Sequence, residues 1–259
     1  MPNELFAGSQ VIVYASREAS YGTARRLNGT DAMLTMSESL TPAEERDVRP
    51  DRSGFSDHLS RYVGRKSAQF EITRLLLPSG SATTEPDDDI LWQNGFGRLS
   101  INASSVEYIL ATAHDWSLTI RRAVRTGSGA GVADFQEHVR GAIVNAVEIG
   151  WGNQGNNGLA TVTFRGVAKD WGWTGNTSVA SGYVNIATSA TTFRVSSPRQ
   201  LSVNSLFKVR DTNTGGGSGI LVDSVNYTTA VISFSETLST TLSSGRVIVP
   251  YNPTATTAG

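Results

Sequence analysis

The chain has 259 residues, enough for one large β domain or two smaller ones with a sizeable buried core. Its 22 Lys and Arg against 23 Asp and Glu leave a formal net charge of -1, which excludes the basic excess of tight, non-specific nucleic-acid binding. With no cysteine there is no disulfide, thiolate metal site or cysteine nucleophile; with no long apolar run and no signal-peptide pattern in MPNELFAGSQ, no membrane binding by this chain alone is expected. Abundant Gly, Ser, Thr and Asn between short β-branched runs predict a mainly β protein.

In chain order, SREASYGTARRL (Ser16 to Leu27) precedes a strand over Ala32 to Met36, and a second strand covers Ala68 to Ile72. Between them, Ser37 to Lys66 has almost no apolar periodicity and mixes charges of both signs: Glu44, Glu45, Asp47, Asp51 and Asp57 against Arg46, Arg49, Arg52, Arg61, Arg65 and Lys66. A structureless connection of that length is uncommon in a compact domain. Pro42 and Pro50 stiffen it, and Phe55, Leu59, Tyr62 and Val63 are apolar anchors, so the segment reads as an arm that lies on another protein.

TEPDDDILWQNGFG (Thr84 to Gly97) predicts one short helix: Thr84 as N-cap, Pro86 early, Asp87, Asp88 and Asp89 in the first turn, Gly95 as the stop. Consecutive carboxylates on a helix diverge, which disfavours a metal role for the three aspartates. GSGAG (Gly127 to Gly131) lacks the lysine of a phosphate loop and reads as a hairpin tip.

Several segments alternate with period two. Phe70 and Ile72 oppose Gln69, Glu71 and Thr73; Leu118 and Ile120 oppose Ser117, Thr119 and Arg121. Ile143, Val147, Ile149 and Trp151 oppose Val144, Ala146, Glu148 and Gly150; Val162 and Phe164 oppose Thr161, Thr163 and Arg165. One apolar and one small, polar face predict antiparallel sheets wet on one side. GNQGNNG (Gly152 to Gly158) is hairpin-turn chemistry. Trp171 and Trp173 read first as an apolar seal where the chain leaves the sheet and second as a paired-aromatic carbohydrate platform.

The composition shifts after Trp173, giving residues 1–173 as a first domain with the arm at 37–66, residues 174–182 as a linker, and residues 183–259 as a small β-barrel or sandwich decoration module with a polar tail. In the second module FRVSS, LFKVRD, GILVDSVN, AVISFSE and GRVIVPY have a strand and turn cadence, with TGGGSG (Thr214 to Gly219) as a tip. His58, His114 and His138 lie in separate segments without metal-ligand spacing, and no nucleophile elbow is present, so no catalytic residue, metal, cofactor or enzymatic activity is expected.

The phrase E-x-x-Y-G-T within Ser16 to Leu27 and the charged arm open an ordered set that continues with GRKSAQFEI (Gly64 to Ile72) and an acidic turn into LWQNGFG (Leu91 to Gly97). SSVEYILATAHDWSLTIRRAV (Ser104 to Val124) and HVRGAIVNAVEIGWGNQGNNGLATVTFRGVAKDW (His138 to Trp171) complete it. From about Gly8 to Trp171 this set resembles the tail tube (major tail) proteins of siphophages. The resemblance implies a tail-tube-type β-sandwich or barrel with one short helix, followed here by a small second β module. It implies a structural virion protein made in the host cytoplasm, whose hexameric rings stack into a tube. That tube houses the tape measure protein, joins other tail proteins at its ends and conducts genomic DNA. On that view Gln69, Glu71, Thr73, Thr119, Ala146, Glu148 and Thr161 face the lumen, an assignment that Arg121 and Arg165 oppose if they share the Glu148 face. Glu44, Glu45, Arg46, Arg49, Arg52, Phe55, Leu59, Tyr62 and Arg65 form an inter-subunit arm. The alternative, a carbohydrate- or surface-binding β module of a fibre or adhesin, draws on the second module and the tryptophans.

Overall fold

The computed structural model describes residues 10–26, 28–48, 61–77, 84–111, 116–125, 135–151, 159–182, 186–209, 219–238 and 241–252. The protein is mainly β with one short α-helix among the described residues. The strands are β1 (Gln10–Arg17), β2 (Ala32–Met33), β3 (Ser37–Val48) and β4 (Arg61–Leu75). Helix α1 (Asp89–Phe96) and the hairpin of β5 (Gly97–Ile101) and β6 (Val106–Leu110) follow. Then come β7 (Leu118–Arg125), β8 (Phe135–Trp151), β9 (Ala160–Ala168) and β10 (Asp170–Thr174). Apart from β5 and β6 these form one antiparallel sheet ordered β2-β1-β7-β8-β9-β4-β3, with β10 also paired to β8.

Strand β8, 17 residues long, organises this sheet. Its first half lies between β7 and β10, whereas its second half, from Ile143 onward, pairs with β9. Gly141, at φ +61°, marks the change of partner, a conformation glycine adopts without a Cβ penalty. A bulge between Val144 and Ala146 follows; there the Val144 N–H donates to Asn94 Oδ1 of α1 at 2.7 Å.

The arm expected over 37–66 is largely a hairpin: β3 pairs with β4 from Ser37↔Thr73 to Val48↔Arg61, with a bulge between Glu44 and Arg46. The backbone groups of the paired residues are satisfied by a ladder, which forms without any alternation of apolar side chains. Glu44 pairs with Lys66 and Asp47 with Tyr62; Glu45, Arg46 and Arg65 also lie on these strands. Arg49, Arg52, Phe55 and Leu59 fall outside the described residues, as do residues 127–131 and 152–158.

The main core places Phe70 and Ile72 of β4, Val162 and Phe164 of β9, Val144 of β8, and Leu118 and Ile120 of β7 against Leu91 and Trp92 of α1. Trp92 meets Phe164 edge-on at 5.1 Å and stacks on Tyr108 at 5.6 Å. The helix begins after Asp88 and ends at Gly97, at φ +91°, and neither Thr84 nor Gly95 is its cap. Gly95 serves packing instead: a Cβ there would lie 3.0 Å from Val147 and 3.2 Å from Val144. The aspartates separate by partner, Asp88 pairing with buried Arg74 and Asp89 accepting from Tyr108 and Gln93.

The second core is a sandwich. One sheet orders β11 (Thr177–Ser178), β17 (Val247–Pro250), β13 (Leu206–Val209) and β14 (Ile220–Leu221). The other orders β12 (Thr192–Arg194), β16 (Val231–Ser233) and β15 (Ser224–Asn226). Phe193, Phe207 and Phe234 contact one another edge-on at its centre. The expected linker over 174–182 needs correcting: Thr177 and Ser178 pair with Ile248 and Val247, and Val179 is buried in the second core. Small polar residues resemble a linker in composition, yet Thr and Ser fit a short edge strand equally well.

Trp92→Ala removes the aromatic contact that seats α1 on the sheet. It is expected to cost about 3–5 kcal/mol, read as a lower urea midpoint at unchanged m-value.

Candidate functional site

Two surfaces stand out: a polar sheet face and a polar seam between the modules. The face lies on the four-stranded stretch β3-β4-β9-β8. Register brings Glu71, Arg165 and Ala146 side by side, and beside them Thr73, Thr163 and Glu148. Arg165 donates to Glu71 at 2.9 Å and to Glu148 at 2.7 Å, and Thr73 and Thr163 share a hydroxyl hydrogen bond of 2.9 Å. Both carboxylates hold the Arg165 guanidinium above its ordinary range. All three charges are about half exposed, so this row defines surface chemistry and adds little stability. A depression of about 290 Å³ lined by Gln69, Glu71, Asn145 and Arg165 sits on the same face.

Parity therefore grouped six of the seven expected lumen residues on one face: Gln69, Glu71, Thr73, Ala146, Glu148 and Thr161, the last paired with Gly150. Arg165 joins them as a paired charge. Thr119 does not, being fully buried with its hydroxyl donated to Glu18 Oε1 at 2.8 Å. Alternation identified its parity, but in this part of the sheet the polar parity is also covered. Ile149 and Trp151, expected on the apolar side, are 44% and 78% exposed because β8 runs on past the helix that covers Val144 and Val147.

Glu18 carries the local order of the E-x-x-Y-G-T phrase. Its carboxylate accepts from Gly22 N at 2.7 Å, Ser117 Oγ at 2.5 Å, Thr119 Oγ1 at 2.8 Å and Gly141 N at 2.9 Å. Gly22 is at φ +73°; a Cβ on Gly22 or on Gly141 would lie 2.7 Å from the Lys169 side chain. Lys169 also places its ammonium 5.2 Å from the Tyr21 ring.

The seam runs across β1, β7, β8 and β10. Register aligns Tyr14 with Arg121, Arg121 with His138 and His138 with Gly172. Tyr14 donates to Asn252 Oδ1 of the second module. Arg121, fully buried, donates to Gln136 Oε1 at 3.3 Å and to the Asn204 carbonyl at 2.8 Å; burial lowers its guanidinium to about 9. Gln136 donates to the Tyr251 carbonyl at 3.0 Å, and Ser202 and Ser205 donate to the Trp173 carbonyl. Gly172 must be glycine, since a Cβ would run into Ser202 and the His138 ring. Sequence reasoning missed this network: its residues alternate as a wet face does, and the second-module partners of Tyr14, Arg121, Gln136 and His138 lie 65 or more positions away in the chain.

No family model matches the chain, and no curated protein does. Among solved structures it is similar to a component of the anti-feeding prophage baseplate, solved by cryo-EM with 6-fold symmetrisation. That match has 10% identity and a TM-score of 0.41 over 64% of this chain and 93% of the other. It is similar to a component of the sheath-tube complex of the PVC extracellular contractile injection system, at 13% identity and TM-score 0.38 over 64% and 88%. A crystallised Hcp protein matches at 13% identity and TM-score 0.33 over 63% and 91%.

His138 donates Nε2–H to the Val203 carbonyl at 3.2 Å. Burial, with Arg121 and Arg140 nearby, pushes the imidazole well below its ordinary 6.5, against the pull of that carbonyl. The unfolded chain therefore binds a proton that the folded one refuses. The contribution is complete above about pH 6.5 and is lost as pH falls toward the depressed folded value. His138→Gln should flatten this part of the stability–pH profile, measured by urea titration between pH 7 and 5.

Proposed function

We propose that this chain is a structural subunit of a phage tail tube, assembled into stacked rings whose bore is lined by the Glu71–Arg165–Glu148 face. The observation that carries the reading is a long-stranded sheet with a wet, salt-bridged face and two open edges. Among the described residues, β3 has a ladder partner only in β4, and the last six residues of β8 only in β9. Open edges of that length drive uncontrolled association unless they are closed. Pairing β3 of one copy with the end of β8 in the next satisfies both edges by a head-to-tail contact, and a rotation that closes makes a ring. The ordered phrases from Ser16 to Trp171 favour the siphophage version, with hexameric rings around a tape measure protein, other tail proteins at the tube ends and DNA passing through the lumen.

In such a bore the face contributes one net negative charge per copy, two carboxylates against one guanidinium. Repeated around a ring, this is a band that phosphate does not adhere to, because DNA contacts come chiefly from unpaired Lys and Arg. Its reach is about 8 Å at physiological salt. No step here involves bond making, so the reading is non-enzymatic.

Electron microscopy of the purified full chain is expected to show annular or tubular assemblies; dispersed monomers at high concentration would sink the reading. Deleting Thr41 to Arg61 removes most of β3 and is expected to give a folded monomer by analytical ultracentrifugation. Intact tubes from that deletion would place the closing edge elsewhere.

Glu148→Lys keeps the backbone N–H and C=O groups of the β8 edge and reverses the sign of the face. It is expected to assemble normally, with Tm changed by about 2 °C or less, while particles carrying it eject DNA more slowly in a dye-release assay. Normal ejection kinetics would remove Glu148 from the bore.

A further inference from the structure

We propose that the junction between the two modules is a binding site for an acidic saccharide residue, of the uronate class. A cavity of about 340 Å³ opens there, walled by Trp171, Trp173, Val139 and Pro42 from the first module and by Arg199 and Gln200 from the second. This is the size and setting of small-ligand sites, which favour boundaries between packed units. It stands on observations separate from the tube reading.

The wall is fixed. Trp171 and Trp173 stack with ring centroids 4.9 Å apart and planes 28° apart, which pins both rings. Trp173 Nε1 donates to the Arg199 carbonyl at 3.0 Å, tying the aromatic wall to the 3-10 turn at Pro198–Gln200 that carries the polar rim. The Lys66 ammonium sits 5.7 Å from the Trp171 ring, so the outer face left for a ligand is that of Trp173. The two rings stack on each other, so they offer a ligand one aromatic face and not two side by side.

The polar groups select the ligand. The Glu137 carboxylate at the rim is held by Arg122 at 2.8 Å. Trp171 Nε1 is buried without a partner, and the exposed Arg199 side chain has none among the described residues. Trp171 Nε1 and His138 Nδ1 lie beneath the wall, so the polar groups that face the cavity are the Arg199 guanidinium fork, the Gln200 amide and the Glu137 carboxylate, the last already paired with Arg122. An occupant that meets them brings an anion for Arg199, hydroxyls that both donate and accept for Gln200 and Glu137, and an apolar face for Trp173. A sugar acid meets each requirement. Its C–H face lies on the Trp173 π-cloud, its hydroxyls exchange hydrogen bonds with Gln200 and Glu137, and its carboxylate matches the Arg199 fork.

The test uses the full chain, with glucuronate and trigalacturonate as acidic probes and maltotriose as the neutral one. Binding is followed by tryptophan emission and by saturation-transfer NMR. The acidic probes are expected to shift the emission and to lose affinity with added salt, with maltotriose at least about tenfold weaker. Arg199→Ala, at an exposed position whose side chain holds nothing else in place, is expected to weaken the acidic probes by about tenfold or more with Tm unchanged. Three results would each overturn the proposal: no binding of either acidic probe at about 10 mM, equal binding by Arg199→Ala, or equal binding of maltotriose. Tighter binding of a polyglutamate peptide than of trigalacturonate would overturn the saccharide assignment.

Discussion

The buried Glu18 carboxylate holds together the three segments on which the sheet turns. Its four hydrogen bonds tie the tight turn at Gly22, the start of β7 through Ser117 and Thr119, and the point at Gly141 where β8 changes partners. Hydrogen bonds to a carboxylate are worth about 1.5–3 kcal/mol each, and a buried donor left without one carries a comparable penalty. This is a constraint on direction as much as on stability. With the Gly141 amide anchored, β8 leaves the part of the sheet sealed by the second module and enters the part whose face stays wet.

That division gives one strand two kinds of chemistry. In the first half of β8, Gln136 and His138 are buried and their polar atoms reach carbonyls of the second module. In the second half, Glu148 is exposed and, among the described residues, bonded only to Arg165 across the sheet. The same alternation of polar and apolar residues runs through both halves. What differs is the cover: a second module over one, solvent over the other.

The seam also changes the meaning of the second module. A decoration hung on a flexible linker would leave few contacts behind it, yet Arg121 is fully buried beneath Asn204, and Arg26 forms an ion pair with Glu236. A buried guanidinium without a carboxylate is costly unless its donors are matched. Two carbonyl oxygens match part of it here, from Asn204 and from the Gln136 side chain, while Arg121 Nε has no partner among the described residues. The modules share a hydrogen-bond network at this seam, and both contribute walls to the cavity beside Trp173.

The sequence by itself determined what local rules control. The β class followed from composition; the helix at 89–96 from its acidic start and apolar anchors; the strands of the second core from their turn cadence; the grouping of Gln69, Glu71, Thr73, Ala146, Glu148 and Thr161 from period-two alternation. Each depends on neighbours a few residues away or on the fixed pleat of a strand. Tertiary structure alone decided which polar faces stay wet. It buried Thr119 against Glu18 and Arg121 against the second module, paired the charged arm into β3 and β4, and recruited Thr177 and Ser178 from an apparent linker into a sheet. Those outcomes rest on partners tens to hundreds of residues distant, and alternation records only that a residue points one way or the other, never what it will meet there.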